Sequence, residues 1–136
     1  MMSVACDQTA EARVMLRPKV LVVDDEARIL RFVQTSLTLA GYDAVTTTSG
    51  EEALKLAQTK EPDLIVLDVV MTPLDGFTVL ERLRRFCTAP VIIFTASKQA
   101  ADVAISRGAN DVLIKPFRPD ELIEMIRSLI PQAETH

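Results

Sequence analysis

The chain has 136 residues, of which 49% are hydrophobic and 25% are charged, and its formal net charge is −4. This length suits one domain with a single core, and the mild acidity gives no electrostatic attraction to nucleic acid or to an anionic membrane. The spacing of the two cysteines and a single, terminal histidine argue against disulfides and a zinc site, and favour a reducing, cytoplasmic setting. No apolar stretch reaches the ~18 residues that a membrane helix needs.

The first 17 residues mix charged and small side chains and lack the apolar core of a signal peptide. We expect residues 1–17 to form a flexible extension, residues 18–131 to form the domain and residues 132–136 to form a short tail. Met1, Met2 and Met15 are all possible starts.

Short apolar segments rich in β-branched residues alternate with amphipathic segments along the chain. The predicted strands are Lys19–Val23, Tyr42–Thr46, Leu64–Leu67, Val91–Phe94 and Asp111–Ile114. The predicted helices are Glu26–Ala40, Ser49 to about Lys60, the segment after Asp75-Gly76 through Leu83, Ala100–Arg107 and the segment from Pro119 through Leu129. Regular alternation of this kind predicts a parallel sheet with helices on both faces and right-handed crossovers.

Local patterns give further expectations for these helices. Ile29, Val33 and Leu37 share one face of the first helix, and Ser49-Gly50-Glu51-Glu52 is typical of a capping box. The basic run Arg82-Leu83-Arg84-Arg85 is short, so we interpret it as the solvated face of a helix rather than a phosphate-binding patch.

Charged side chains follow three of the predicted strands at their carboxyl ends. Asp24 and Asp25 follow the first strand, Asp68 follows the third and Lys115 follows the fifth. In an open parallel sheet these ends meet at one edge, so three carboxylates and one ammonium would lie together. A divalent cation relieves repulsion between carboxylates, and an acidic pocket of oxygen ligands favours Mg²⁺ or Mn²⁺ over zinc.

This constellation, with Thr95 at the end of the fourth strand, closely resembles the receiver domain of two-component response regulators. The resemblance extends from about Lys19 to Ile130. It implies an α/β, flavodoxin-like fold: a doubly wound five-stranded parallel sheet in the order 2-1-3-4-5 with five helices. It also implies a phosphoprotein of phosphorelay signal transduction, which assists its own phosphorylation and dephosphorylation but is not an enzyme.

The resemblance assigns a role to each residue of the acidic site. Asp68 matches the phospho-acceptor, whose carboxylate attacks the phosphorus of a phosphohistidine and becomes an acyl phosphate. Asp25 matches the primary Mg²⁺ ligand and Asp24 the secondary one. Asp68 and the backbone carbonyl of Val70 complete the metal site, and the ion neutralises the charge on the transferring group.

The same resemblance covers the other strand ends. Thr95 matches the hydroxyl that hydrogen-bonds the phosphoryl group, and Ala96 is small enough for its N–H to approach it. Lys115 matches the lysine that pairs with the phosphoryl group, and the bond to Pro116 is often cis in this family. Ser97 and Val70 match positions that tune hydrolysis, and an apolar Val70 predicts slow self-dephosphorylation because it cannot position water.

Each residue also has a purely structural interpretation. Asp24 or Asp25 could cap the following helix, Thr95 could cap another, and Asp68 could be a surface residue ahead of a loop. The pattern of Met71 and Asp75-Gly76 after Asp68 favours the receiver. Thr72-Pro73 departs from the family's more common order, in which proline occupies the position of Thr72.

Two departures from the family fall on the fourth helix and fifth strand. Val112 stands where the family usually has Tyr, Phe or His, and a β-branched aliphatic side chain cannot perform the inward rotation of that ring. The stretch from Thr95 to Lys115 is also about two residues shorter than usual. We therefore expect phosphorylation to be retained while the switch, or the surface that meets a partner, is unusual.

The leading interpretation is a receiver that takes its phosphoryl group from a histidine kinase or a histidine phosphotransfer protein. Its output would pass through an unknown downstream protein, with no direct nucleic acid or membrane binding, and the chain would be a monomer or weak homodimer. Alternatives are a degenerate receiver that docks partners without phosphorylation, and the N-terminal piece of a longer DNA-binding or enzymatic regulator. A phosphohydrolase of the haloacid-dehalogenase type is disfavoured because Val70 replaces its second aspartate.

Overall fold

The computed structural model describes residues 17–71 and 74–130. The strands are β1 (Lys19–Val23), β2 (Asp43–Thr47), β3 (Leu64–Leu67), β4 (Val91–Thr95) and β5 (Asp111–Ile114). The helices are α1 (Ala27–Leu39), α2 (Gly50–Lys60), α3 (Gly76–Leu83), α4 (Lys98–Ala104) and α5 (Pro119–Leu129). The expected N-terminal extension, apart from Arg17, lies outside the described residues, as do Thr72-Pro73 and the expected C-terminal tail.

The five strands form one parallel sheet in the order β2-β1-β3-β4-β5, which confirms the predicted flavodoxin-like fold. Both faces of the sheet are covered. α1 and α5 pack on one face, against residues such as Val20 and Val22 of β1. α2, α3 and α4 pack on the other, against Leu21 and Val23 of the same strand. Because successive side chains of a strand point to opposite faces, one apolar run supplies two cores.

The first helix and second strand differ slightly from the expectation. The buried residues of α1 are Leu30, Val33 and Leu37, whereas Ile29 is only half-buried. Tyr42 lies outside β2 because its N–H donates to the carbonyl of Leu37, 2.9 Å away, and so belongs to the turn that ends α1.

The predicted capping box at α2 forms only in part. The Ser49 hydroxyl accepts from the N–H of Glu52 at 3.1 Å, as expected of a helix cap. The Glu52 carboxylate does not return to the backbone of Ser49, because it accepts instead from the Thr47 hydroxyl at 2.5 Å.

The fourth helix starts earlier than predicted and is shorter. Ser97 caps it by accepting from the N–H of Ala100 at 3.1 Å, and helical structure ends at Ala104 rather than at Arg107. The alanine-rich composition pointed to the middle of the segment, whereas the cap determines where the helix begins.

Arg84 does not belong to a solvated helix face, so that interpretation of the basic run was wrong for this residue. α3 ends at Leu83, and the Arg84 guanidinium lies over the loop that follows. Its Nη1 donates to the carbonyls of Cys87 and Ala89 at 3.1 and 2.8 Å, and its Nη2 donates to the Asn110 side chain at 3.0 Å. Arg84 thus joins the loops before β4 and β5.

Within the described ranges, no helix combines the length and the apolar character that crossing a membrane requires.

Candidate functional site

Three carboxylates converge at the carboxyl edge of the sheet. Asp24 and Asp25 follow β1 and Asp68 follows β3, the strand beside it, and oxygens of the three lie within 4.8 Å of one another. The N–H of Asp68 donates to the carbonyl of Val23 at 2.9 Å, which continues the strand pairing into the site. The sheet topology therefore brings together the acidic residues that the sequence suggested.

Lys115 bridges the two buried members of this cluster. Its Nζ lies 2.7 Å from Asp24 Oδ2 and 3.0 Å from Asp68 Oδ2. The other oxygen of each carboxylate accepts a backbone N–H at 2.9 Å, from Glu26 for Asp24 and from Val70 for Asp68. Both carboxylates are thus held in fixed orientations before any ligand binds.

Asp25 differs from the other two aspartates because it is exposed. Its side chain makes no hydrogen bond or ion pair within the described part of the chain. Neither Asp24 nor Asp25 is the N-cap residue of α1, since that position is Glu26, and Asp24 accepts from the N–H of Glu26 itself. Asp25 is therefore the member of the cluster that is open to a ligand from solvent.

The surroundings of Lys115 keep it charged. Burial alone would lower the pKa of its ammonium, but hydrogen bonds to Asp24 and Asp68, and their negative charges, outweigh burial. The net effect raises the pKa of Lys115 above its ordinary value of 10.5. At neutral pH a positive charge consequently lies beside Asp68.

The ends of β4 and β5 complete the site. Thr95 is fully buried, its Oγ1 accepts from the N–H of Ser97 at 3.1 Å, and its carbonyl accepts from the N–H of Lys115 at 2.9 Å. Ala96 is exposed at the start of the loop, and the bond between Lys115 and Pro116 is cis. Because Ser97 caps α4, the interpretation of Thr95 as the cap of that helix is wrong.

Val112 lies on β5, three residues before Lys115. It is half-buried, pairs in register with Ile93 and packs against the core on the α2–α4 face of the sheet. It presents no polar atom to the site.

Gly76 is a site residue that sequence reasoning did not single out for its role. Its N–H donates to the carbonyl of Val69 at 3.0 Å, and a Cβ atom there would collide with the Asp68 carbonyl oxygen and the Val69 Cα. Asp75 caps α3 by accepting from the N–H of Thr78 at 3.1 Å. Asp75-Gly76, which in the sequence served only as a pattern that favours the receiver, marks the close approach of α3 to the backbone that carries Asp68.

The donor set suits a hard divalent cation. Three carboxylates and one ammonium leave two negative charges without a partner in the cluster, and every side-chain ligand atom is oxygen. Asp25, Asp68 and the neighbouring carbonyl of Val70 are the groups that could hold such an ion. Val70 itself is 59% exposed, so its side chain does not close the site.

Comparisons with known proteins agree with this geometry. Residues 20–127 match the family model of the response regulator receiver domain. The chain is 45% identical over 120 residues to a probable transcriptional regulator, ycf27, of Cyanophora paradoxa, covering 87% of this chain and 50% of that protein. It is 40% identical over 122 residues to PhoP of Bacillus subtilis, an alkaline phosphatase synthesis transcriptional regulatory protein. This match covers 88% of this chain and 51% of that protein. The chain spans about half the length of the curated relatives it matches.

Solved structures show the same fold. The receiver domain of Francisella response regulator 1452 has a TM-score of 0.78 and 40% identity, covering 83% of this chain and 96% of that one. The response regulator TrrA of Thermotoga maritima, solved in complex with Mg²⁺ and BeF, has a TM-score of 0.78 and 33% identity. This match covers 83% of this chain and 99% of that one. The chain belongs to the response regulator receiver family.

Proposed function

We propose that this receiver accepts a phosphoryl group on Asp68 from a histidine kinase or a histidine phosphotransfer protein. The observation that carries the proposal is the setting of Asp68, whose carboxylate lies 3.0 Å from the Lys115 ammonium and within 4.8 Å of two other carboxylates. A nucleophilic carboxylate, a fixed cation and a place for a metal are the requirements of phosphoryl transfer to aspartate.

The transfer is a simple displacement. The Asp68 carboxylate attacks phosphorus, the P–N bond of phosphohistidine breaks and the imidazole leaves. Lys115, which already lies beside Asp68, then pairs with the phosphoryl group. The Thr95 hydroxyl, which accepts from the N–H of Ser97, still has its own hydrogen to donate to a phosphoryl oxygen. The backbone N–H of Ala96, an exposed residue, is the second donor that we propose.

Mg²⁺ or Mn²⁺ would be held mainly by Asp25, Asp68 and the Val70 carbonyl. The bound ion supplies positive charge that neutralises the phosphoryl oxygens during transfer. Asp24 is the most deeply buried of the three carboxylates, since it is fully buried while Asp68 is 5% exposed and Asp25 is exposed, which supports a secondary role for Asp24 through water rather than as a direct ligand.

The output of the chain is also a proposal. The relatives are named as transcriptional regulators, which supports a role for the whole protein in controlling transcription. For the receiver itself we propose output through contact with a protein, with a changed switch because Val112 replaces the usual ring. An NMR comparison that shows a conventional, Thr95-coupled rearrangement of α4 and β5 on activation would contradict the changed switch.

The test is the intact mass of the protein after incubation with acetyl phosphate and Mg²⁺. We expect a gain of one phosphoryl group, which Asp68→Asn and a chelator each abolish. The matched control Asp63→Asn changes an aspartate at the opposite edge of the sheet and should leave the gain intact. Because Val70 offers no group to position water, the phosphorylated form should persist well beyond seconds.

No gain by the folded protein would overturn the proposal and favour a docking module that works without phosphorylation. A phosphorylated form that decays within seconds would contradict only the role given to Val70.

A further inference from the structure

A buried aromatic ring lies against the Lys115 ammonium. The Nζ of Lys115 is 4.8 Å from the centroid of the Phe94 ring, within the ~6 Å over which a cation is attracted to a ring face. Phe94 is fully buried, so water does not compete for the contact on the ring side. The ammonium therefore has carboxylates and an aromatic face as its described neighbours.

The ring is itself held in place. Phe94 is the fourth residue of β4 and pairs in register with Leu113 of β5, two residues before Lys115. Phe117, two residues after Lys115, packs on the Phe94 ring edge-to-face, with centroids 5.9 Å apart and planes at 61°. The Phe94 ring thus contacts both the Lys115 ammonium and the Phe117 ring.

An aromatic face can hold the Lys115 ammonium without adding negative charge to the cluster. The cluster already has three carboxylates against one ammonium, and a fourth acid placed to steady Lys115 would add to their repulsion. A ring attracts the ammonium through its quadrupole and carries no net charge. It can fix the cation without changing the charge that a metal or phosphoryl group meets.

We propose that Phe94 is a positioning residue for Lys115. The face of the Phe94 ring holds the Lys115 ammonium beside Asp68, ready for the incoming phosphoryl group. The inference rests on the proposed roles of Asp68 and Lys115. Lysine is a flexible four-carbon stem, and its shorter contact is with Asp24 at 2.7 Å rather than with Asp68 at 3.0 Å. Without the ring, the ammonium would be freer to leave Asp68 for Asp24.

The test measures the affinity for beryllofluoride, a phosphoryl mimic, at saturating Mg²⁺. Phe94 is replaced in turn by 4-fluoro-, 3,5-difluoro- and 3,4,5-trifluorophenylalanine, which weaken the ring face stepwise while nearly keeping its shape. We expect the dissociation constant to rise with each fluorine, by about three- to tenfold in total. Phe94→Leu should weaken binding at least as much, whereas Ile92→Val, a core change on the same face of β4, should not.

A double-mutant cycle separates positioning from general packing. If Phe94 acts through Lys115, then adding Phe94→Leu to the Lys115→Met variant should have little further effect on beryllofluoride binding. In the wild type, NMR should also show the Lys115 methylene protons next to Nζ shifted upfield by the ring current, independently of any phosphoryl chemistry.

The outcomes distinguish this inference from the proposed function. If the wild type binds beryllofluoride and fluorination of Phe94 leaves the affinity unchanged, the role of Phe94 is wrong while the proposed function stands. The same conclusion follows if Phe94→Leu weakens binding equally in the wild type and in Lys115→Met. Failure of the wild type to bind the mimic at all would overturn both proposals.

Discussion

Lys115 joins the two buried carboxylates of the site, and its ionisation links the stability of the domain to pH. Methionine at this position would leave Asp24 and Asp68 close together without their shared donor. The expected loss in the free energy of unfolding near pH 8 is roughly 1–3 kcal/mol, the cost of leaving buried polar groups unpaired.

The sign of the pH effect follows from the raised pKa of Lys115 in the folded state. Its contribution is present in full below the ordinary value of 10.5 and is lost as pH rises through the raised value. Urea unfolding from pH 8 upward should therefore show a gap between wild type and Lys115→Met that narrows only once the pH exceeds the ordinary value of 10.5. Lys98→Met, an exposed lysine of α4, provides the control. A constant gap between wild type and Lys115→Met would contradict the linkage.

At the scale of helices and strands, the apolar runs predicted the boundaries of elements more accurately than the polar segments did. β1 and β3 have the predicted bounds because apolar residues buried on both faces mark them sharply, and β5 also has the predicted bounds although only Leu113 in it is buried. β2 is displaced by one residue, since Asp43–Thr47 is mostly half-exposed and has a weak apolar pattern. The α4 boundaries and the contacts of Arg84 depend on a cap and on a loop 24 residues away, neither of which a helical pattern contains.

The packing of α3 against the loop after β3 gives a prediction at this scale. Gly76→Ala should displace the Asp68–Val69 backbone, because the added Cβ would collide with it. We expect a loss of stability of about 2 kcal/mol or more, in the range of overpacked cores, and slower gain of phosphoryl mass.

Gly41→Ala separates the effect of that collision from backbone strain in general. Gly41 has a φ of +98° with open space around its Cβ position, so alanine there should cost roughly 1–2 kcal/mol through strain alone. Urea unfolding should show both variants destabilised, while intact mass against time should show slower phosphorylation only for Gly76→Ala. Equal phosphorylation rates in the two would refute a special role for α3 packing.

For the molecule as a whole, the position of the site followed from topology, but its internal pairing did not. Alternating strands and helices imply a parallel sheet whose carboxyl ends meet, so Asp24, Asp25, Asp68 and Lys115 were predictable as neighbours. The sequence did not show that Lys115 bonds both buried aspartates, that Asp25 alone stays open, or that Phe94 faces the ammonium. Those details depend on side-chain rotamers, which packing across four strands determines.

The metal site proposed at the acidic cluster predicts that the stability of the entire domain depends on Mg²⁺. A cation that binds the folded state alone stabilises it by mass action, by about 2.7 kcal/mol at a hundred times its dissociation constant. Thermal unfolding of the wild type should therefore shift upward with Mg²⁺ and not with NaCl of equal ionic strength. Asp25→Asn should lose most of this shift, because Asp25 is the open carboxylate of the cluster.

Without Mg²⁺ the same variant should be at least as stable as wild type, since it removes one of three mutually repelling charges. Glu51→Gln, which removes an exposed carboxylate from the first turn of α2, controls for net charge and should keep the full Mg²⁺ shift. If Asp25→Asn and wild type gained equally from Mg²⁺, the cation would be bound elsewhere, and the metal site proposed around Asp25 and Asp68 would be wrong.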